Sequence, residues 1–195
     1  MNRLRNLLPA GLAAGALVAG MALAAPAATA APTASGRANV VTALDYNSTG
    51  WTYRQVPPAT QVPGFADRGF DDSGWPLGQA GFGTTNGTCS WNNQNTVKTP
   101  WTVNTDILVR HWLHLPRDAQ QVRVQGTVDN DAEVYFNGHL VQSVKSGKCA
   151  AGAIDVVVPV ADLDCCNLIA VRGHDGGVAT YLNLRVTYVK PTKAL

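Results

Sequence analysis

The segment at residues 127–140, TVDNDAEVYFNGHL, constrains the fold more than any other part of the chain. An apolar run at residues 134–136 leads into Asn137-Gly138, and a second strand-like run covers residues 140–144. Asn and Gly both tolerate the positive φ that a type I′ turn requires, so this order of residues predicts a β-hairpin. Upstream, Asp-Asn-Asp at residues 129–131 breaks the preceding strand, because these residue types favour turns.

Alternation of apolar and polar residues recurs along the chain and predicts further short strands. At residues 181–188 the even-numbered positions are apolar up to Tyr188, whereas the odd-numbered positions include Asn183 and Arg185. A single helical turn is expected at residues 160–163. About eight short strands separated by turn residues predict an all-β, two-sheet sandwich. The other predicted strands cover residues 40–44, 51–56, 107–115, 122–128, 154–158 and 169–172.

Four stretches together resemble the galactose-binding-like domains, which are accessory sugar-binding domains of glycoside hydrolases and other secreted proteins. The break at residues 129–131 followed by VYFNG is the first, and WTY at residues 51–53 followed by FDDSGW at residues 70–75 is the second. The third is DLDCCNLIAVRGHD at residues 162–175, and the fourth is ILVRHWLHLP at residues 107–116. The resemblance implies a jelly-roll topology, a structural role for FDDSGW, and core positions for Trp51 and Trp75.

Residues 1–30 are predicted to form a secretory signal peptide. Arg3 and Arg5 give a positive start, an apolar run follows, and Ala28-Thr29-Ala30 is a cleavage site. The alternative is a membrane anchor, which the Ala- and Gly-rich composition and Pro26 disfavour. We therefore expect an extracellular protein with no membrane span after cleavage.

The remaining chain is expected to form one domain. Residues 31–38 are predicted to be a disordered leader, residues 39–190 the domain, and residues 191–195 a frayed tail. Residues 57–100 have little strand character and are expected to form loops over one end of the sandwich.

The charge balance excludes two classes of partner. The chain has 15 Lys and Arg against 13 Asp and Glu, and cleavage removes Arg3 and Arg5, which leaves 13 against 13. No basic patch is evident, so neither nucleic acid nor anionic lipid is expected as a partner. A monomer is expected.

The four cysteines, Cys89, Cys149, Cys165 and Cys166, predict two disulfides in an exported chain. Neighbouring cysteines rarely bond each other, because the geometry strains the peptide between them. Cys89 and Cys149 are therefore each expected to join one of the adjacent pair. A metal site is the alternative, but the spacing lacks the C-x₂-C pattern of zinc ligands.

The sequence predicts a non-catalytic protein. It contains neither the G-x-S-x-G nor the H-E-x-x-H motif. Asp71-Asp72 could be the acid pair of a small hydrolase, but the family resemblance favours a structural turn. Asp129, Asn130, Asp131 and Glu133 offer oxygen ligands for a structural calcium ion, although their spacing is not that of an EF-hand and a solvated turn is favoured.

Aromatic residues in loops point instead to sugar binding, because a sugar ring can stack on tryptophan while polar side chains bind its hydroxyls. Trp91 and Trp101 are the candidates for stacking, and packing or burial is the alternative for each. The predicted hydroxyl-binding residues are Asn130, Asp131, His174 and Asp175, with an ordinary turn as the alternative for the last two. The expected function is a secreted carbohydrate-binding module, and an extracellular protein-binding or adhesion module is the alternative.

Overall fold

The computed structural model describes residues 39–84, 89 and 97–191. The predictions for the signal peptide, the leader, Trp91 and nearly all of the tail fall outside these residues. The strands in chain order are β1 (Asn39–Leu44), β2 (Thr49–Val56), β3 (Leu77–Gln79), β4 (Phe82–Gly83), β5 (Thr99–Pro100), β6 (Asp106–His114), β7 (Gln120–Asp129), β8 (Asp131–Phe136), β9 (His139–Val144), β10 (Ala150–Val157), β11 (Cys166–His174) and β12 (Tyr181–Lys190).

The strands form two six-stranded sheets, as the predicted all-β sandwich requires. The first sheet has the order β10-β7-β12-β4-β5, with β1 also paired to β12, and the second has the order β3-β2-β6-β11-β8-β9. Only β4 and β5 pair in parallel among the strands of the described ranges. From β6 onward the chain changes sheet at every connection except the β8–β9 hairpin. A 3₁₀ turn at Val160–Asp162 matches the predicted helical turn.

The predicted hairpin is confirmed at β8 and β9. Asn137 and Gly138 both have positive φ, 52° and 90°, and Phe136 pairs with His139 across the turn. A side chain at Gly138 would approach the Asp67 carboxylate to 3.1 Å, so the hairpin tip lies directly against residues of a loop. Glycine is required there both for its φ and for this close approach.

The core lies between the two sheets and follows the predicted alternation. Leu182, Leu184 and Val186 of β12 are buried together with Val122 and Val124 of β7. Their apolar faces point toward the second sheet, so the period-two pattern specifies the strand register. Each fully buried aliphatic side chain of this kind stabilises the fold by about 1.5–3 kcal/mol.

Residues 57–76 form a loop layer over the outer face of the second sheet. Phe65 and Ala66 of this layer pack against the outward-facing Leu108 of β6 and Ala170 of β11. The prediction that residues 57–100 cover one end of the sandwich is therefore wrong for residues 57–76, which cover a sheet face. Apolar residues on the outer face of the two central strands would otherwise be exposed to water. The loop at residues 57–76 buries them.

A buried arginine ties the loop layer to the sheet. Arg110, on the outer face of β6, donates to the carbonyl oxygens of Phe65 and Asp67 and, through Nε, to Asp72 Oδ2 at 2.9 Å. The neighbouring Asp71 Oδ1 accepts a hydrogen bond from the Ser73 N–H at 3.0 Å. The structural interpretation of Asp71-Asp72 is thus favoured over the catalytic one.

The cysteine pairing differs from the prediction. Cys89 is bonded to Cys149, with their Cα atoms 5.3 Å apart, whereas Cys165 and Cys166 are free. Cys89 lies beside the carbonyl of Val128, and Val128 pairs with Ala150. Cys149, which directly precedes Ala150, therefore lies within reach of Cys89. Cys166 begins β11 at the opposite end of the second sheet, which separates it from both partners.

Among the described residues, no helix has the length and apolar character needed to cross a bilayer.

Candidate ligand-binding cleft

The strand register brings polar side chains together at one end of the second sheet. His174, the last residue of β11, pairs with Asp106 of β6 on one side and with Asp131 of β8 on the other. Two residues along β11, Arg172 lies between Leu108 and Glu133. Because alternate residues of a strand share a face, the polar residues of both rows lie on the outer face of the sheet.

These residues line an open cavity of about 510 Å³, here called the polar cleft. The loop layer closes one side through Ala59 and Gln61, and Lys145 contributes from the segment after β9. The strand residues of the lining are Asp106, Asp131, Ala132, Glu133, Tyr135, Arg172 and His174.

Asp106 organises the cationic side of the cleft. Its buried carboxylate accepts hydrogen bonds from Arg172 Nε at 2.9 Å and from the Ala59 N–H at 3.3 Å, and its Oδ1 lies 2.6 Å from His174 Nδ1. A second guanidinium nitrogen of Arg172 also contacts Asp106 and donates to the Thr60 carbonyl. The imidazole and guanidinium are therefore held in place before any ligand arrives, and His174 keeps its second ring nitrogen for binding.

Asp131 fixes the loop that carries Lys145. Its Oδ1 accepts hydrogen bonds from the N–H groups of Ser146 at 2.7 Å and Gly147 at 2.9 Å. Partial burial acts to raise the pKa of Asp131, but these two hydrogen bonds and the charges of Lys145 and His174 outweigh it and lower the pKa. Asp131 is therefore a carboxylate at neutral pH and attracts the neighbouring cations.

Tyr135 and Glu133 form the opposite wall. The Tyr135 hydroxyl donates to Glu133 Oε2 at 2.9 Å, and the Tyr135 ring meets Phe65 of the loop layer edge to face at 5.5 Å. Burial, followed by the hydrogen bond to Glu133, raises the pKa of Tyr135 to about 12. The phenol therefore remains protonated and presents an aromatic surface together with a hydroxyl group.

Asn130 and Asp175 hold the loop that follows His174, next to the cleft. Asn130 Oδ1 accepts a hydrogen bond from the Gly176 N–H at 2.8 Å. Asp175 is fully buried and accepts hydrogen bonds from the Asn104 N–H at 2.5 Å and the Gly177 N–H at 3.3 Å. Both side chains hold the loop after His174 in place.

The structure brings four of the predicted binding residues to one end of the sheet. Asp131 and His174 line the cleft, whereas Asn130 and Asp175 lie directly beside it. Trp101 does not join them: its side chain is 1% exposed, its Nε1 donates to Thr105, and its ring lies against Gly173 in the core. The expectation that Trp101 stacks on a sugar is therefore wrong, because burial leaves no ring face accessible.

Sequence reasoning did not place Asp106, Arg172 or Tyr135 in a site. Each occupies an outward position in a strand that alternates with core residues, as in Val171-Arg172-Gly173. The available signal is a polar or amphipathic residue that alternates with apolar residues along a strand. Only the pairing of β6, β11 and β8 shows that these positions converge.

The residues around the cleft do not fit a calcium site. Across the described ranges, no group of three or more His, Cys, Asp and Glu side chains is placed to hold a metal ion. One oxygen of Asp131 and both oxygens of Asp175 already accept hydrogen bonds from backbone N–H groups.

No protein-family model and no curated protein sequence matches this chain. Solved structures match, including a Bacteroides uniformis beta-glucuronidase with a TM-score of 0.52, 16% identity, and coverage of 78% of this chain and 18% of that one. Bacteroides uniformis beta-glucuronidase 2, covalently bound to cyclophellitol-6-carboxylate aziridine, gives a TM-score of 0.54 with the same identity and coverage. At this identity the likeness shows a shared fold, and this chain spans less than a fifth of the glucuronidase chains.

Proposed function

We propose that this chain is a secreted, non-catalytic carbohydrate-binding module of the galactose-binding-like type, and that its polar cleft holds the sugar. The observation that carries the proposal is the composition of the cleft wall. Arg172, His174 and Lys145 supply donors, and Asp131 and Glu133 supply acceptors. Sugar hydroxyls both donate and accept, so a ring with several hydroxyls can engage both kinds of group at once.

The dimensions and rigidity of the cleft support this ligand class. A volume of about 510 Å³ lies within the range of roughly 300–1,000 Å³ typical of small-molecule sites. Asp106 holds two of the donors, and the hydrogen bond between Tyr135 and Glu133 holds the opposite wall. Pre-organised polar groups lose little side-chain entropy when a ligand binds.

The sequence and the fold agree with this role. The predicted signal peptide directs the chain out of the cell, and the solved structures that share its fold include glycosidases. The one acidic pair that suggested hydrolysis is occupied structurally, because Asp72 pairs with the buried Arg110. We expect the module to act as a monomer.

An extracellular protein partner is the alternative function. A flat apolar surface would favour such a partner, whereas the concave polar cleft favours a small polyhydroxylated ligand. The alternative gains support if glycans do not bind and a protein ligand is captured through the same residues.

Binding to a panel of neutral hexoses, pentoses, uronic acids and their oligosaccharides tests the proposal, with affinity measured by calorimetry. In His174→Ala, we expect binding to weaken by up to about tenfold, because the variant loses a ring nitrogen that can bind the ligand and one hydrogen bond contributes roughly 0.5–1.5 kcal/mol. His139→Ala is the matched control, because His139 is exposed and lies outside the cleft. Equal losses in both variants, or no binding across the whole panel, would contradict the proposal.

A further inference from the structure

Two thiols at the start of β11 have no role in the cleft. Cys165 is exposed and Cys166 is half-buried, and their Sγ atoms lie 3.7 Å apart. Both lie at the end of the second sheet opposite the polar cleft, because β11 runs from Cys166 to His174. An exported chain that uses its other two cysteines in a disulfide thus keeps two reactive groups side by side.

An imidazole stands next to one of these thiols. His114, the last residue of β6, pairs with Cys166 in the sheet register, and its Nδ1 lies 3.5 Å from Cys166 Sγ. With the ring proton on Nε2, Nδ1 accepts the thiol proton. A thiol paired with an imidazole is the usual arrangement for producing a nucleophilic thiolate.

The other thiol has a less favourable environment. Hydrogen bonds to Cys166 and then to Asp164, together with their charges, raise the pKa of Cys165. Asp164 is itself paired with Arg68 at 2.7 Å. Asp164 and Arg117 are the charged residues that line a neighbouring hollow of about 320 Å³. Cys165 therefore remains protonated, whereas Cys166 has the proton acceptor.

We propose that Cys166 is a thiol–disulfide exchange site that takes up a low-molecular-weight thiol as a mixed disulfide, with His114 as the proton acceptor. The Cys166 thiol gives its proton to His114 Nδ1, and the thiolate attacks one sulfur of a small disulfide. A bond forms between Cys166 Sγ and that sulfur as the original S–S bond breaks. The departing thiolate takes the proton from the imidazolium and leaves as a free thiol, so the small disulfide is the oxidant.

The geometry favours this product over a bridge to Cys165. Adjacent Cα atoms are about 3.8 Å apart across a trans peptide, whereas disulfides span about 4.4–6.8 Å between Cα atoms. A bridge between neighbours is therefore strained, and a mixed disulfide on Cys166 avoids that strain. A hollow borders Cys165, whose Sγ lies 3.7 Å from Cys166 Sγ, so open space lies close to the modified thiol.

Variants with one free thiol, exposed to oxidised glutathione, test the proposal, with the rate of glutathione addition measured by mass spectrometry. In Cys165→Ser, the remaining Cys166 should react at least about tenfold faster than the remaining Cys165 does in Cys166→Ser, since assistance by a general base typically contributes about 10²–10⁴-fold. The peptide pair containing Cys89 and Cys149 serves as an internal control, because its disulfide is already formed.

The role of His114 is tested in the Cys165→Ser background. Replacing His114 with Ala should lower the rate to that of Cys165 and shift the pH–rate profile of Cys166 to that of an unassisted thiol. His139→Ala is the matched control, since this exposed histidine pairs with Asp162 rather than with a thiol. Equal rates for the two cysteines, or an unchanged rate and pH profile without His114, would overturn the proposal.

Discussion

Arg110 and Asp72 form an ion pair that joins a central strand to the loop layer, with Arg110 Nε 2.9 Å from Asp72 Oδ2. The arginine side chain is only 1% exposed, whereas the aspartate is partly accessible. Thr52 Oγ1 also donates to Asp72 Oδ2 at 2.5 Å. One carboxylate thus compensates a buried charge and connects β2, β6 and the loop layer.

Removing this carboxylate should destabilise the protein strongly. We expect Asp72→Ala to lower the free energy of unfolding by about 3 kcal/mol, because it leaves the buried guanidinium without its counter-charge. Urea denaturation measures the change. Asp71→Ala is the matched control: the Asp71 side chain is exposed and bonds only to Ser73 among the contacts described, so no measurable change is expected. Equal effects of the two substitutions would contradict this account.

Two aspartates of the same turn should respond to pH in opposite directions. The lowered pKa of Asp131 means that its ionised form stabilises the fold above the ordinary pKa of 3.8, and this stability is lost as pH falls through the folded pKa. Burial, and next the charge of Asp175, raises the pKa of Asp129, with the reverse effect: its contribution is favourable below 3.8 and is lost as pH rises through the folded pKa.

At pH 7, Asp131→Asn should therefore lower the melting temperature and Asp129→Asn should raise it. An asparagine at position 129 keeps an oxygen that can accept the hydrogen bond from Asn130. Melting curves recorded from pH 7 to pH 3 check both signs, and the two variants should converge toward the parent at low pH. Shifts of the same sign at pH 7 would show that charge does not control this turn.

The disulfide makes a separate, measurable contribution. Cys89 and Cys149 are 60 residues apart, and a bridge of that span typically contributes about 2–4 kcal/mol by restricting the unfolded chain. Cys89→Ser should lower the stability by this order and release Cys149. Titration of the unfolded, unreduced protein should find the two thiols of Cys165 and Cys166 in the parent and three in the variant. Two thiols in the parent but only one in the variant would indicate that Cys149 is bonded to Cys165 or Cys166 instead.

The burial of Trp101 can be tested through the glycine beside it. A Cβ added at Gly173 would lie 2.9 Å from Trp101 Cη2. Gly173→Ala should therefore destabilise the fold by about 1–3 kcal/mol, the usual cost of overpacking a core. Adding Trp101→Phe should recover part of the loss, because phenylalanine lacks the outer indole atoms. Thermal denaturation of the single and double variants measures the coupling, and purely additive losses would contradict the contact.

The fold could be predicted because its signals are local. Asn137-Gly138 specifies its turn through φ alone, and Leu182, Leu184 and Val186 specify their face through spacing alone. The cleft could be predicted only in part. Asp131 and His174 lie in turn-rich segments, which the sequence marks as candidate binding loops. Arg172, in contrast, becomes a site residue only through its pairing with Glu133 across the sheet.

Two errors have the same physical origin. Trp101 follows a polar stretch and a proline, yet tertiary packing against Gly173 buries it. The cysteine pairing depends on which strand ends meet, and the register of Val128 with Ala150 decides it. Neither the contact of Trp101 with Gly173 nor the pairing of Val128 with Ala150 can be recognised from the residues adjacent in sequence.

The pairing of β6 with β11 sets the distance between the two ends of the outer face. The β6–β11 register contains nine residue pairs, from Asp106 with His174 at one end to His114 with Cys166 at the other. Eight steps at about 3.3 Å place these ends roughly 26 Å apart. A fluorophore or a surface linker coupled to Cys166 would therefore leave the cleft open, and the protein could be immobilised in one defined orientation with the polar cleft facing the solution.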